Sequence, residues 1–103
     1  MSDPLNPTAG ARFLLERISI ADEMGSQASY RAAIFTPAET VEGRAELADD
    51  GSVTLAIPGD PQYVSELEKL AKLTARSAAK KRSDGLPPWP ARVLRWRGPG
   101  RGA

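Results

Sequence analysis

The stretch around Asp49-Asp50-Gly51 constrains the fold most, because it dictates how the two segments flanking it must pair. If Asp50-Gly51 were a two-residue turn, Glu46 would face Leu55 and Leu47 would face Thr54, mixing polar and apolar residues on both faces. A three-residue loop, with Gly51 left-handed in a bulge, pairs Leu47 with Val53 and Ala45 with Leu55. It also sets Gly43 opposite Ile57 and leaves Glu46 facing Thr54 on the wet side. A slip of one residue sends every side chain to the other face, so the register that keeps the faces unmixed is selected. Strands over roughly 41–48 and 52–57 are predicted.

Upstream, Tyr30, Ala32 and Ile34 alternate with Arg31, Ala33 and Phe35, a strand that Pro37 ends. Residues 12–21 fit two patterns. Leu14, Ile18 and Ile20 suit a strand with Ile18 and Ile20 inward, while Leu14 and Ile18 also suit a helical turn capped by Thr8. The strand is preferred, joined to the next through Met24-Gly25-Ser26-Gln27.

Downstream the period changes to that of a helix. Pro58-Gly59 makes a turn, Asp60 supplies an N-cap oxygen, and Pro61 suits the first helical position, where no N–H is needed. At about 100° per residue, Tyr63, Val64, Leu67, Leu70, Ala71, Thr74 and Ala78 share one face, the one that would cover the sheet. The helix is expected to end near Arg82, with Gly85 as the stop. Pro87-Pro88-Trp89-Pro90 then reads as a stiff extended connector, since each proline fixes its own φ and disfavours helix before it. Val93 to Arg97 returns as a short strand. The fold expected is α+β: an antiparallel sheet of four to five strands, one long helix on one face, and a short C-terminal strand. Residues 1–9 are expected to form a flexible lead-in, 10–97 a single domain, and 98–103 a disordered Gly/Arg tail.

Composition narrows the chemistry. Apolar content of 41% with 26% charged residues places the chain among folded soluble proteins. It has no Cys, so disulfides and thiolate chemistry are excluded, and no His, which removes the commonest general base and metal ligand together. Its eight serines have no His to activate one, and no glycine-rich phosphate loop precedes a helix. Asp49-Asp50 belongs to a turn, and Glu42 and Glu46 to the wet face of a strand. A non-catalytic protein without cofactor, metal or small-molecule substrate is expected. No apolar run nears the roughly 20 residues of a membrane span, and the first residues lack the pattern of a signal peptide. A cytoplasmic location with no membrane partner is the resulting expectation.

Charge is strongly segregated. Through Glu68 there are four Arg and no Lys against twelve acids; from Lys69 onward, four Lys and six Arg face Asp84 alone. The two parts thus carry about −8 and +9 within a net charge of +1, a pattern that points to an anionic partner or to halves that attract each other. On the helix, Lys69, Lys72, Arg76 and Lys80 fall within about 80° of arc opposite the apolar face, a stripe of about 17 Å. Such a stripe can track phosphates. It also suits the helix dipole and a Glu68–Lys72 pair on a solvated face. In the C-terminal segment, Trp89 and Trp96 interleave with Arg92, Arg95 and Arg97, the combination that stacks bases and binds phosphate on single strands. The structural alternative puts Leu94 and Trp96 in the core and Arg95 and Arg97 outside.

Phe13, Leu15 and Phe35 fall on the parity opposite to Ile18, Ile20 and Ile34, so the sheet reads as apolar on both sides. One helix covers one side; the other requires the Trp89–Trp96 return or a second subunit. Phe13, Leu15, Phe35, Trp89 and Trp96 are therefore the candidate interface, and Lys69, Lys72, Arg76, Lys80, Arg92, Arg95 and Arg97 the candidate anion-binding residues. The element order resembles that of single-strand-binding coactivator and whirly-type folds, a likeness of order without a shared motif. The function expected is protein–protein assembly, as a homo-oligomer or a subunit of a larger complex. A nucleic-acid-binding protein is the alternative.

Overall fold

The computed structural model describes residues 10–20 and 25–97. The expected lead-in, the expected tail, and residues 21–24 of the first connection lie outside the described residues. Five strands and a helix follow in chain order: β1 (Ala11–Ile20), β2 (Gln27–Phe35), β3 (Thr40–Ala48), β4 (Val53–Ala56), α1 (Pro61–Ser83) and β5 (Arg92–Arg97). The strands form one antiparallel sheet in the order β4-β3-β2-β1-β5, with α1 on one face. The fold is the α+β arrangement expected.

The hairpin adopts the predicted register, with Leu47 opposite Val53, Ala45 opposite Leu55 and Glu46 opposite Thr54. Gly51 has φ of 93°, its N–H donates to the Ala48 carbonyl, and Ala48 N–H donates across to Ser52, closing the three-residue loop. The Asp50 carboxylate accepts from Ser52 N–H at 2.8 Å, which stiffens the turn. At Gly43 the chain leaving β4 passes so close that a Cβ would lie 2.2 Å from the Ala56 carbonyl oxygen and 2.7 Å from Ile57 Cα. Only glycine leaves room for that approach.

Helix α1 begins where its caps dictate. Asp60 accepts from Gln62 N–H at 2.9 Å, and Pro61 occupies the first turn. At the other end Gly85 N–H donates to Arg82 and Leu86 N–H to Lys81, with Gly85 at φ 76°. This is the pair of bonds of a Schellman ending, which a left-handed glycine permits. Leu67, Leu70, Ala71, Thr74, Ala75 and Ala78 are buried against the sheet. Small residues on both surfaces, among them Ala32 and Ala45 on the strands, let the helix lie close.

The connector after α1 is pinned rather than merely stiff. Trp89 is 1% exposed, its ring N–H donates to the Gly25 carbonyl at 2.6 Å, and it meets Tyr30 edge-on at 6.5 Å. Tyr30 donates its hydroxyl to the Pro90 carbonyl at 2.7 Å, and Arg17 donates to the Trp89 carbonyl at 2.8 Å. These bonds bring the chain back across the sheet and deliver β5 to the free side of β1.

Strand β1 corrects the sequence reading. It is a strand, but Ile18 and Ile20 are not buried in the core; they are 54% and 43% exposed. The register shifts between Arg17 and Ser19, so an extra residue at Ile18 breaks the alternation. Parity counted back from Ile18 therefore puts Phe13 and Leu15 on the wrong side. Both pair opposite Ile34 and Ala32 and lie under the helix, 2% and 0% exposed.

Candidate functional site

The face opposite the helix is the one on which the register places residues with no helix above them among the described elements. Its central rows are charged. Arg31 donates to Glu16 at 3.2 Å and also to Glu42, and Arg44 pairs with Glu46 at 3.1 Å. Arg92 joins this face opposite Glu16.

Toward the β5 side the same face becomes apolar. Leu14, Ala33 and Phe35 form a second buried cluster separate from the main core. Leu94 lies opposite Leu14 and Trp96 opposite Arg12, which in turn lies opposite Phe35. Leu94 is 40% and Trp96 54% exposed. The sheet is thus apolar on both sides in this region, as parity suggested, although through a different set of residues. Of the candidate interface residues, Phe35 and Trp96 lie on this face. Phe13, Leu15 and Trp89 belong to the helix-covered core, so they cannot meet a partner without unfolding. The core position foreseen for Leu94 and Trp96 is also corrected: their row faces away from the helix, beside a cluster too small to enclose them.

The cations fall into separate groups. Lys69, Lys72, Arg76 and Lys80 line the solvent side of α1, opposite its buried residues. Lys69 lies 3.8 Å from Glu66 and Lys80 3.2 Å from Asp84. The Glu68–Lys72 pair is not formed; Lys72 and Arg76 make no ion pair among the described residues. Arg92 and Arg95, two of the other candidates, occupy opposite faces of β5 by alternation, and Arg97 pairs through its backbone with Ala11. The seven do not form one surface.

One juncture does bring charge and apolar surface together. Between α1 and β5 runs a groove of about 190 Å³ lined by Phe13, Glu66, Lys69, Leu70, Leu73, Arg95 and Trp96. Sequence reasoning passed over Leu73 and placed Leu94 in the core. Leu73 sits on the flank of the helical wheel beside the basic stripe, a signal present in the sequence. Leu94 acquires its role only once β5 is known to pair with β1. No helix of the described residues is long and apolar enough to cross a membrane.

No family model, curated protein or solved structure matches the chain. The resemblance in element order to single-strand-binding folds therefore gains no support beyond the order itself.

Proposed function

We propose that this chain is a small non-catalytic assembly module that docks another polypeptide on the β5 side of its sheet. The observation that carries the reading is the exposure of Leu94 and Trp96 beside the buried Leu14–Ala33–Phe35 cluster, on the face without a helix. Adjacent large apolar side chains left exposed on one face are what a protein interface uses as its centre. The charged rows of Arg31, Glu16 and Glu42 beside them would form its polar rim.

Sedimentation velocity over a range of concentrations tests docking between copies. Self-association that Leu94→Glu with Trp96→Glu abolishes is the expected result. A strict monomer at the highest soluble concentration removes the homo-oligomer and leaves a different polypeptide as the partner.

A second reading, nucleic-acid binding, is favoured by half-buried Lys72 and exposed Arg76, which make no ion pair among the described residues. It predicts weak binding at low salt that falls steeply as salt rises, since each phosphate contact releases a counterion. Arg76→Glu with Lys80→Glu should weaken it equally for every sequence. A gel-shift titration at two salt concentrations decides; undetectable binding at low salt eliminates this reading.

A further inference from the structure

Among the described residues β5 is the last strand of the sheet on its side, and the phase of its ladder says which backbone groups face outward. Arg17 N–H donates to the Ala91 carbonyl at 2.9 Å, so this opposed pair is a bonded one. Bonded and non-bonded pairs alternate along an antiparallel ladder. Val93 and Arg95 therefore exchange their bonds with Leu15 and Phe13, while Arg92 and Leu94 turn their N–H and C=O toward the open edge. A strand edge of this kind is a template for one more strand.

The side chains beside that edge specify what the added strand would carry. Arg92 lies on the helix-free face and Arg95 on the helix side, next to Lys69 in the groove. Neither Arg92 nor Arg95 makes an ion pair among the described residues. Between them Val93 and Leu94 present one apolar side chain to each face. Glu66, which pairs with Lys69, is the one acid lining the groove among the described residues.

We propose that the β5 edge takes up an extended acidic segment of another polypeptide as a sixth strand. Directly opposed residues are the pairs that stabilise a sheet. The segment's recognition core therefore reads acid–apolar–apolar–acid, set against Arg92, Val93, Leu94 and Arg95. Because the pattern is palindromic, it holds for either strand direction. A second copy of β5 would bring a like-charged edge, and a polynucleotide lacks the backbone groups that the edge needs. The inference rests on the assembly reading and names the partner's chemistry.

The test uses the full chain and labelled synthetic peptides with a Glu-Val-Val-Glu core, a Gln-Val-Val-Gln core and a Lys-Val-Val-Lys core. Anisotropy gives affinity, and amide hydrogen exchange by NMR gives the site. The acidic peptide should bind at least about tenfold more tightly than the neutral one, the basic one not at all, and Arg95→Glu should abolish that preference. Bound peptide should slow exchange at the Arg92 and Leu94 amides. Leu94→Pro should abolish binding yet keep the fold, because that N–H lies outside the β1 ladder; Arg95→Glu provides the same test without a backbone change. Equal affinity for all three peptides, unprotected Arg92 and Leu94 amides, or displacement of the acidic peptide by oligothymidylate overturns the proposal. A protein that self-associates through Leu94 and Trp96 but ignores the acidic peptide keeps the assembly reading and overturns this one. A monomer that binds the peptide supports both.

Discussion

Replacing Trp89 by Ala tests the claim that the Pro-rich connector is part of the core. The indole is 1% exposed, packs edge-on against Tyr30, and donates to the Gly25 carbonyl at 2.6 Å. Truncating a buried Trp to Ala costs about 3–5 kcal/mol, a figure that already contains the lost packing and cavity. Against a total stability of about 5–15 kcal/mol that is a large fraction. At roughly 4–8 °C per kcal/mol for a domain near this size, the midpoint should fall by about 20 °C. Trp89→Phe separates the two contributions. It keeps most of the ring volume but leaves the Gly25 carbonyl without its donor, for about 1–3 kcal/mol. Urea unfolding followed by far-ultraviolet circular dichroism gives both numbers. In a Trp96→Phe background, the emission of Trp89 alone should shift red on unfolding. A loss below about 1 kcal/mol for Trp89→Ala would refute the reasoning and return the connector to the role of a spacer.

Other perturbations follow from particular residues. Gly51→Val should cost about 1–2 kcal/mol in the same urea assay, because φ of 93° resists a β-branched side chain while the space beside it is open to Arg76 Cγ at 3.5 Å. Gly43→Ala should cost the upper part of about 1–3 kcal/mol for the opposite reason: its methyl meets backbone, and β4 must move. Burial pushes the Tyr30 hydroxyl up to about 12 from 10.0, partly offset by the positive charge of Arg17. The folded state thus holds the proton more tightly than the unfolded chain. The stability this contributes is whole below pH 10 and is lost as pH rises toward 12. Urea midpoints of the wild type and Tyr30→Phe should therefore converge over that window; parallel curves would contradict it.

Elements governed by local chemistry were legible in the sequence. The hairpin register follows from the parity of Ala45, Leu47, Val53 and Leu55, and the helix ends follow from Asp60, Pro61 and Gly85. Each rests on residues close together in the chain. What was not legible depends on distant partners. The bulge at Ile18 leaves no mark in the sequence, yet it inverts the parity from which Phe13 and Leu15 were placed. Trp89 reads as part of a stiff connector until Gly25 and Tyr30, about 60 residues earlier, are brought against it. The groove needed both β5 beside β1 and α1 above Phe13, so no local pattern announced it.

The charge segregation finds only limited use inside the molecule. Arg82 pairs with Asp49, joining the end of α1 to the β3–β4 loop, and Lys69 with Glu66 spans one helical turn. Acids of the first part are instead matched within it, as in the Arg31–Glu16–Glu42 and Arg44–Glu46 groups on the helix-free face. Lys72, Arg76, Lys81, Arg92 and Arg95 make no ion pair among the described residues. Exposed pairs contribute only about 0–1 kcal/mol each, so stability alone gives little reason to concentrate cations at one end of the chain. A polyanion approaching Arg92 would also meet the acids of the helix-free face, which oppose it. A short acidic strand at the β5 edge reaches Arg92 and Arg95 from the side and leaves those acids where they are. That difference in approach is why the arrangement fits a peptide better than a nucleic acid.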